Sequence, residues 1–502
     1  MAIWDMLTTA WGWAMENLLY INLILSVVIV FFQRRDPKAV WTWLLVLYFI
    51  PIFGFFLYLM ICQDYRKSKM FRVKGVEDKL RYSVENQEEA LMSAEHRYLS
   101  DERRQDLEKL VLYNLESSGA VLTVDNTVDI FTDGEEKFRD LREEMKRARH
   151  YIHIQYYIIK NDELFQSMIP ILIERARAGV EIRILYDGMG GRFMPDKVWN
   201  QLRAVGIQIG EFFPAFLGRL QLRLNYRNHR KIVVIDGKIG YVGGFNIGKE
   251  YISKDPKFGY WRDTHLKICG GAVYSLQIRF ALDWNYATRE NLFQDAGYFG
   301  VGQELGEELG EEPVRQSTKE PLGIQIIVSG PDSSTRQIRD NYLELFHKAR
   351  TSIYIQTPYF IPDDAVLSAL QIAARSGVDV RLMIPCKPDH PFVYWATYSY
   401  VGDLLAAGAK CYTYENGFLH AKGVMIDGNT SCYGTANMDI RSFELNFEVN
   451  AILYDPRTTE RLETIFRKDL ECCKEVTREN YLQRSLWIRI KEQCSRLLSP
   501  LL

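Results

Sequence analysis

Residues 229–246 read HRKIVVIDGKIGYVGGFN, and residues 420–437 read HAKGVMIDGNTSCYGTAN. Laid side by side without a gap, they match His229 with His420, Lys231 with Lys422, Asp236 with Asp427, Gly243 with Gly434 and Asn246 with Asn437. A single His-x-Lys-x4-Asp arises by chance in a chain of this length at roughly the per cent level, so one copy carries little weight. Two copies that also repeat the downstream Gly and Asn do not arise that way.

The chain around these stretches is duplicated too, and internal repeats decide architecture. A helical stretch, Glu135–Arg149, leads into the strand Tyr151–Gln155, then a helix Ile169–Ala178 and a strand Gly179–Leu185. Ile338–Arg350, Ser352–Gln356, Val366–Ser376 and Gly377–Met383 follow in the same order with matching lengths. Alternating strands and helices predict an α/β fold in which two pseudo-symmetric lobes pack together and share one active site. The division is an apolar hairpin over 1–62, a charged helical connector over 63–118, a first half over 119–293, an acidic linker over 294–322 and a second half over 323–502.

The spacing has a chemical meaning. Residues i and i+2 of an extended strand project to one face, so His229 with Lys231, and His420 with Lys422, are expected to point into one site. The apolar runs Ile232–Ile235 and Gly423–Ile426 bury the strands that carry them. Glycine admits close backbone approach, and Asn246 and Asn437 offer amide donors to an anionic oxygen, so the lysines and asparagines together predict a phosphate pocket. Asp263 and Glu448 stand at corresponding points downstream of the two motifs and are the candidate carboxylates for holding each imidazole's tautomer. Asp236 and Asp427 complete the motif, and their position predicts a structural contact at the strand end.

These paired motifs resemble the signatures of the phospholipase D superfamily, over roughly residues 119–502. The Arg34-Arg35-Asp36-Pro37 loop between two apolar runs and the terminal Arg496-Leu-Leu-Ser-Pro-Leu-Leu502 narrow the resemblance to the bacterial cardiolipin synthases. One departure is Gly244 where that family often has Ser, so the hydroxyl that Thr435 supplies in the second half is missing from the first. The resemblance implies a catalytic set of His229, Lys231, Asp236, His420, Lys422 and Asp427, with Asn246, Asn437 and Thr435 contacting substrate. It implies His229 as nucleophile and His420 as general acid and then base, without a cofactor. The implied reaction moves a phosphatidyl group between two phosphatidylglycerol molecules. Hydrolysis to phosphatidic acid is the alternative, since acceptor choice depends on pocket shape.

Composition excludes other classes. Lys plus Arg at 62 against Asp plus Glu at 64 leaves a net charge of −2, which disfavours a nucleic-acid partner. Eight cysteines without a C-x-x-C pair fit neither a disulfide framework nor a zinc site, and predict reduced thiols facing the cytoplasm. His96, His150, His153, His265, His347 and His390 lack repeat partners and are read as surface or core residues. The basic set Arg219, Arg223, Arg227, Arg230 and Lys231 is expected to face anionic headgroups.

Apolar runs at Leu18–Phe32 and Val40–Cys62 predict two membrane spans, the second of 23 residues where about 20 suffice. Residues 1–16 contain no Lys or Arg, which disfavours a signal peptide. Arg66, Lys67, Lys69, Arg72 and Lys74 outnumber Arg34, Arg35 and Lys38, placing the body on the cytoplasmic side of a bacterial cell membrane. The C-terminal stretch Leu482–Leu502 reads equally as a packed helix or as one lying on anionic lipid.

Overall fold

The computed structural model describes residues 12–13, 16–32, 37–51, 53–55, 58, 102–214, 226–299, 322–333 and 335–499. In the first half the strands are β1 (Thr123–Phe131), β2 (Tyr151–Tyr156), β3 (Glu181–Asp187), β4 (Gln208–Phe212), β5 (Arg227–Asn228), β6 (Ile232–Ile235), β7 (Ile239–Gly243), β8 (Trp261–Arg262) and β9 (His265–Cys269). In the second they are β10 (Leu322–Ser329), β11 (Ser352–Gln356), β12 (Phe360–Ile361), β13 (Asp379–Pro385), β14 (Lys410–Tyr414), β15 (Phe418–Leu419), β16 (Gly423–Ile426), β17 (Thr430–Gly434), β18 (Met438–Asp439), β19 (Asn446–Tyr454) and β20 (Cys473–Val476). The repeat helices are Gly134–Arg147 with Glu163–Arg177, and Gln337–Lys348 with Asp364–Arg375. Three of these begin at an aspartate whose carboxylate accepts first-turn N–H groups: Asp133, Asp162 and Asp363.

The two halves are not separate sheets laid against each other. They form one 16-stranded sheet, fifteen strands in the order β20-β14-β13-β11-β16-β17-β19-β10-β1-β9-β7-β6-β2-β3-β4 and β5 paired beside this path with β19. Reading outward from the centre, β1 answers β10, β9 answers β19, β7 answers β17, β6 answers β16 and β2 answers β11. The halves join where β1 pairs antiparallel with β10, with Thr123 opposite Ile324 and Asn126 opposite Leu322. Each of those strands would otherwise present an unpaired edge.

The connector's described part, the helix Glu102–Ser118, belongs to the second half's core. Its Leu107, Leu110 and Val111 pack with Ile338, Tyr342 and Leu345, and Asn114 donates to Asn341 Oδ1 at 3.1 Å. Residues 63–101 lie outside the described residues, as do 300–321 of the acidic linker. That linker begins inside the fold, where the buried Tyr298 ring meets Tyr151 and His153.

At the N-terminus the helices Leu18–Phe32 and Pro37–Phe49 pack around Ile29, Trp43 and Leu47. The expected 23-residue span is not one helix. Pro51 lacks an N–H to continue the ladder, and the chain folds back so closely that a Cβ on Gly54 would lie 3.0 Å from Leu47 Cα. The Tyr58 ring then meets Trp43 at 5.6 Å. Among the described residues no helix is long and apolar enough to cross a membrane.

The motif aspartates close the β6–β7 and β16–β17 turns with left-handed backbone, φ 51° at Asp236 and 52° at Asp427. Asp236 accepts the backbone N–H groups of Arg149, His150 and Tyr151 at 2.8 Å each. Asp427 accepts those of Arg350, Thr351 and Ser352, plus the Thr351 hydroxyl at 2.9 Å. Each carboxylate therefore clamps the start of the neighbouring strand, β2 or β11. Asp427→Ala is expected to lower stability by about 2–4 kcal/mol, the loss of several charge-assisted bonds partly replaced by water, read as a fall in Tm. Activity of the remaining folded fraction should be retained, and loss of activity at unchanged Tm would give Asp427 a chemical role instead.

Candidate active site

Each motif histidine follows a two-residue strand that pairs with the other half. Arg227 and Asn228 pair in parallel with Asn446 and Phe447, and His229 N–H donates to the Phe447 carbonyl at 2.9 Å. Phe418 and Leu419 pair with Trp261 and Arg262, and His420 N–H donates to the Arg262 carbonyl at 2.7 Å. The histidines sit just before β6 and β16 rather than within them.

The carboxylates cross over between the halves. His229 Nδ1 lies 2.9 and 3.0 Å from the two oxygens of Glu448, and His420 Nδ1 lies 2.6 Å from Asp263 Oδ2. An ionised carboxylate only accepts, so each ring carries its proton on Nδ1 and leaves the Nε2 lone pair free. The expectation that Asp263 and Glu448 orient the imidazoles meets this geometry, but each serves the other motif's histidine. Thr435 Oγ1 donates to Glu448 at 2.6 Å and Asn446 Nδ2 donates at 3.1 Å, while Asp263 accepts from Thr264 N–H at 2.7 Å. The Gly244 departure has a steric cause: a Cβ there would fall 1.9 Å from Asp263 Oδ1.

Lys231 Nζ donates to the His229 carbonyl at 2.7 Å, and Lys422 Nζ donates to the His420 carbonyl. Burial pulls Lys231 down to about 7 against the attraction of Glu448, and Lys422 down to about 8 against that of Asp263. Burial also lowers His229, and lowers His420 to about 4 with help from Lys422. Burial pushes both carboxyls up, but Lys422 and His420 hold Asp263, and His229 and Lys231 hold Glu448, below the usual range. Each histidine also feels the charge of the other motif's lysine, which lowers it further. Tyr157 against His229, and Trp261 and Tyr251 against His420, form aromatic walls.

The other expected residues divide. Asn246 has both amide ends occupied, accepting from Ile158 N–H at 3.1 Å and donating to Tyr251 OH at 2.9 Å. Asn437 donates to Asp439 at 3.2 Å, and its buried Oδ1 has no partner. Arg230, expected at a headgroup surface, is turned inward: its guanidinium clamps Asp283 at 2.7 and 2.8 Å and reaches the Glu448 and Ser329 carbonyls. Burying that charge is possible only because Asp283 is buried with it. Arg219 and Arg223 lie outside the described residues. Of the unrepeated histidines, His153 and His265 are buried, His390 is exposed, and His96 lies outside the described residues.

Sequence reasoning missed Asp283, which also accepts from Gln155 and Asn228 and so fixes the segment before His229. An acid in the apolar run Phe280-Ala-Leu-Asp283-Trp284 was the available signal. It also missed the Arg262–Asp469 pair, whose bonds of 3.0 Å tie the residue before Asp263 to the second half. No group of three metal-ligating side chains occurs among the described residues.

The family model described as "Cardiolipin synthase, PLD-like domain" matches residues 141–256 and 342–470, and "Phospholipase_D-nuclease N-terminal" matches 21–61. The chain is 47% identical to the major cardiolipin synthase ClsA of Bacillus subtilis (strain 168), over 96% of this chain and 97% of that one. A cardiolipin synthase of Staphylococcus aureus (strain Mu50) is 46% identical over 96% of this chain and 95% of its own. Phosphatidylserine synthase of Haemophilus influenzae, at 14% identity, shares the fold with a TM-score of 0.57, covering 80% of this chain and 98% of that one. The chain belongs to the cardiolipin synthase family with PLD-like domains.

Lys231 is held at about 7 and Lys422 at about 8, and only their ammonium forms can neutralise an anion. As pH rises through that window the protons leave, so kcat/KM is expected to fall above about pH 8. A bound phosphodiester favours the charged lysines, so the same limb in kcat should sit at higher pH. A kcat/KM that stays flat from pH 7 to 9 would count against these lysines as the anion site. Glu448→Gln should cost about 10²–10⁴ in rate, the scale for losing a histidine's orienting carboxylate. It should also lower the His229 titration seen by NMR and leave that of His420 near its wild-type value.

Proposed function

We propose that the chain transfers a phosphatidyl group from one phosphatidylglycerol to another, forming cardiolipin and releasing glycerol. The crossed His229–Glu448 and His420–Asp263 pairs are the observation that carries this reading, because each leaves an imidazole Nε2 available, one for attack on phosphorus and one for proton transfer. In the first step His229 Nε2 attacks phosphorus, the P–O bond to the headgroup glycerol breaks, and His420 gives that oxygen a proton. In the second, neutral His420 takes the proton from the headgroup hydroxyl of another phosphatidylglycerol. That oxygen attacks the phosphohistidine, and the P–N bond breaks to restore His229. Lys231 and Lys422 neutralise the non-bridging oxygens, where charge builds in each transition state. Burial lowers both imidazoles toward their neutral forms, and the substrate's negative charge favours the protonated form of His420. The order of the two histidines follows the family resemblance.

The same reading embeds the N-terminal hairpin in the bacterial cell membrane, with the body on its cytoplasmic face. Leu19, Tyr20, Leu23, Ile24, Val27 and Phe31 of the first helix are all more than half exposed, an apolar surface that lipid would cover. At 1.5 Å per residue a helix of this length reaches about 22 Å, short of a bilayer core of about 30 Å.

Purified protein given phosphatidylglycerol alone in detergent micelles should yield cardiolipin and glycerol. Phosphatidic acid as the main product would make the chain a hydrolase. Donor labelled in its diacylglycerol part should mark the protein with an acid-labile, base-stable adduct on His229, and His229→Ala or His420→Ala should each lose at least about 10³ in rate. Label on His420 that persists in His229→Ala would reverse the two roles, and inversion at phosphorus without any adduct would remove the two-step mechanism.

A further inference from the structure

The C-terminal helix Leu486–Leu497 is amphipathic in the wrong sense for a helix in water. Its buried positions are Glu492 and Ser495, with Glu492 held by Arg484 through two bonds of 2.7 Å. Its outer positions are Leu486, Trp487, Ile490 and Leu497, exposed by 72, 73, 42 and 68%. A surface helix of a soluble body turns its apolar stripe inward. Elsewhere on the described body, large exposed apolar residues such as Val124, Tyr274 and Ile372 stand far apart in the sequence and in separate elements.

The patch extends toward the active site. Lys491 Nζ stands over the Trp395 ring at 5.2 Å, and Arg496 bonds Asp403 at 2.6 Å, so this helix runs parallel to Pro391–Ala407. Leu486 and Trp487 therefore stand level with the first turn of that helix, where Phe392 is 59% exposed. The loop leading into that turn follows β13 and carries Asp389, which accepts the Tyr359 hydroxyl next to the β12–β18 pair, whose Met438 directly follows the motif's Asn437. The first half repeats the arrangement after β3. There Gly190 lies so close to the Tyr157 carbonyl that a Cβ would approach its oxygen to 1.8 Å, and Tyr157 packs on His229. Phe193 on the same loop is 81% exposed with the Arg192 guanidinium over its ring.

We propose that the outer face of the C-terminal helix, with Phe392 and Phe193 at the two loop tips, docks the catalytic body onto an anionic phospholipid bilayer. The inference rests on the reading that the substrate is a membrane phospholipid. Charge selects the occupant. Arg489 and Lys491 flank the apolar stripe, and the only acid between residues 486 and 497 is the buried Glu492. Tryptophan and basic residues around an aliphatic stripe are the composition of an interfacial helix. Docked this way, the body presents the mouth of the site to lipid headgroups without lifting a whole lipid into water.

The test uses the full chain with Trp487→Ser and Ile490→Ser, both exposed and outside the catalytic site. On phosphatidylglycerol vesicles the rate should fall on the order of tenfold. On dihexanoyl phosphatidylglycerol below its micellar concentration it should stay within about twofold of wild type, since monomers need no docking. An unchanged vesicle rate, or an equal fall on both substrates, overturns the proposal. A second measurement reads the contact itself. A fluorophore on Cys494, exposed on the same stripe, should be quenched by nitroxide lipids in those vesicles beyond the background of Cys494→Ser. No excess quenching also overturns the proposal. Wild-type protein that makes no cardiolipin from either substrate would instead remove the proposed reaction, whatever the variants do.

Discussion

A hydrogen bond from each imidazole to a carboxylate of the opposite half is the constraint on which this structure turns. His229 is held by Glu448 and His420 by Asp263, so neither half contains a complete histidine dyad. The devices that join the halves hold the same few residues. The β5–β19 and β15–β8 pairings end one residue before each histidine. Arg230 with Asp283, and Arg262 with Asp469, are buried ion pairs placed next to the residues they serve. The continuous sheet through β1 and β10 supplies the stiff frame that short cross-strands alone could not.

Concentrating charge in that frame has an electrostatic cost. Two lysines, two carboxylates and two imidazoles are withdrawn from water, and burial drives the lysines down to about 7 and about 8. A negative charge placed beside the two lysines would favour their ammonium forms and draw both values back up. The asymmetry between the halves is packing, not drift: the shorter Asp263 lies against Gly244, which leaves no room for a side chain. The longer Glu448 is gripped by the Thr435 hydroxyl.

The surface follows the same economy at lower resolution. Glu492, Arg230 and Asp283 are buried, while Leu486, Trp487, Leu497, Phe193 and Phe392 are exposed at the C-terminal helix and the loop tips. An exposed apolar face of this kind is unfavourable in water and favourable against lipid, which is the physical ground of the proposed docking.

Much of this was legible in the chain itself. The repeat predicted the strands Tyr151–Gln155 and Ser352–Gln356, which appear as β2 and β11, because buried parallel strands leave continuous apolar runs. The motif spacing offered both histidines and both lysines as candidates, and the repeat offered the two carboxylates, since local periodicity survives in one dimension. The turn-closing role of Asp236 and Asp427 was readable for the same reason. What the chain could not show was which carboxylate meets which histidine. Residues separated by 219 and 157 positions meet only after the halves exchange β5 and β15, and pseudo-symmetry leaves both pairings equally consistent with spacing. Arg230 inside a basic stretch read as surface because its partner Asp283 lies on a distant helix. The bend at Pro51 likewise turned an uninterrupted apolar run into a folded-back one, because hydropathy sums composition and is blind to backbone direction. Composition and period thus determined the elements and the candidate reacting groups, while tertiary packing alone decided the pairing of charges, because it depends on distances that no spacing along the chain encodes.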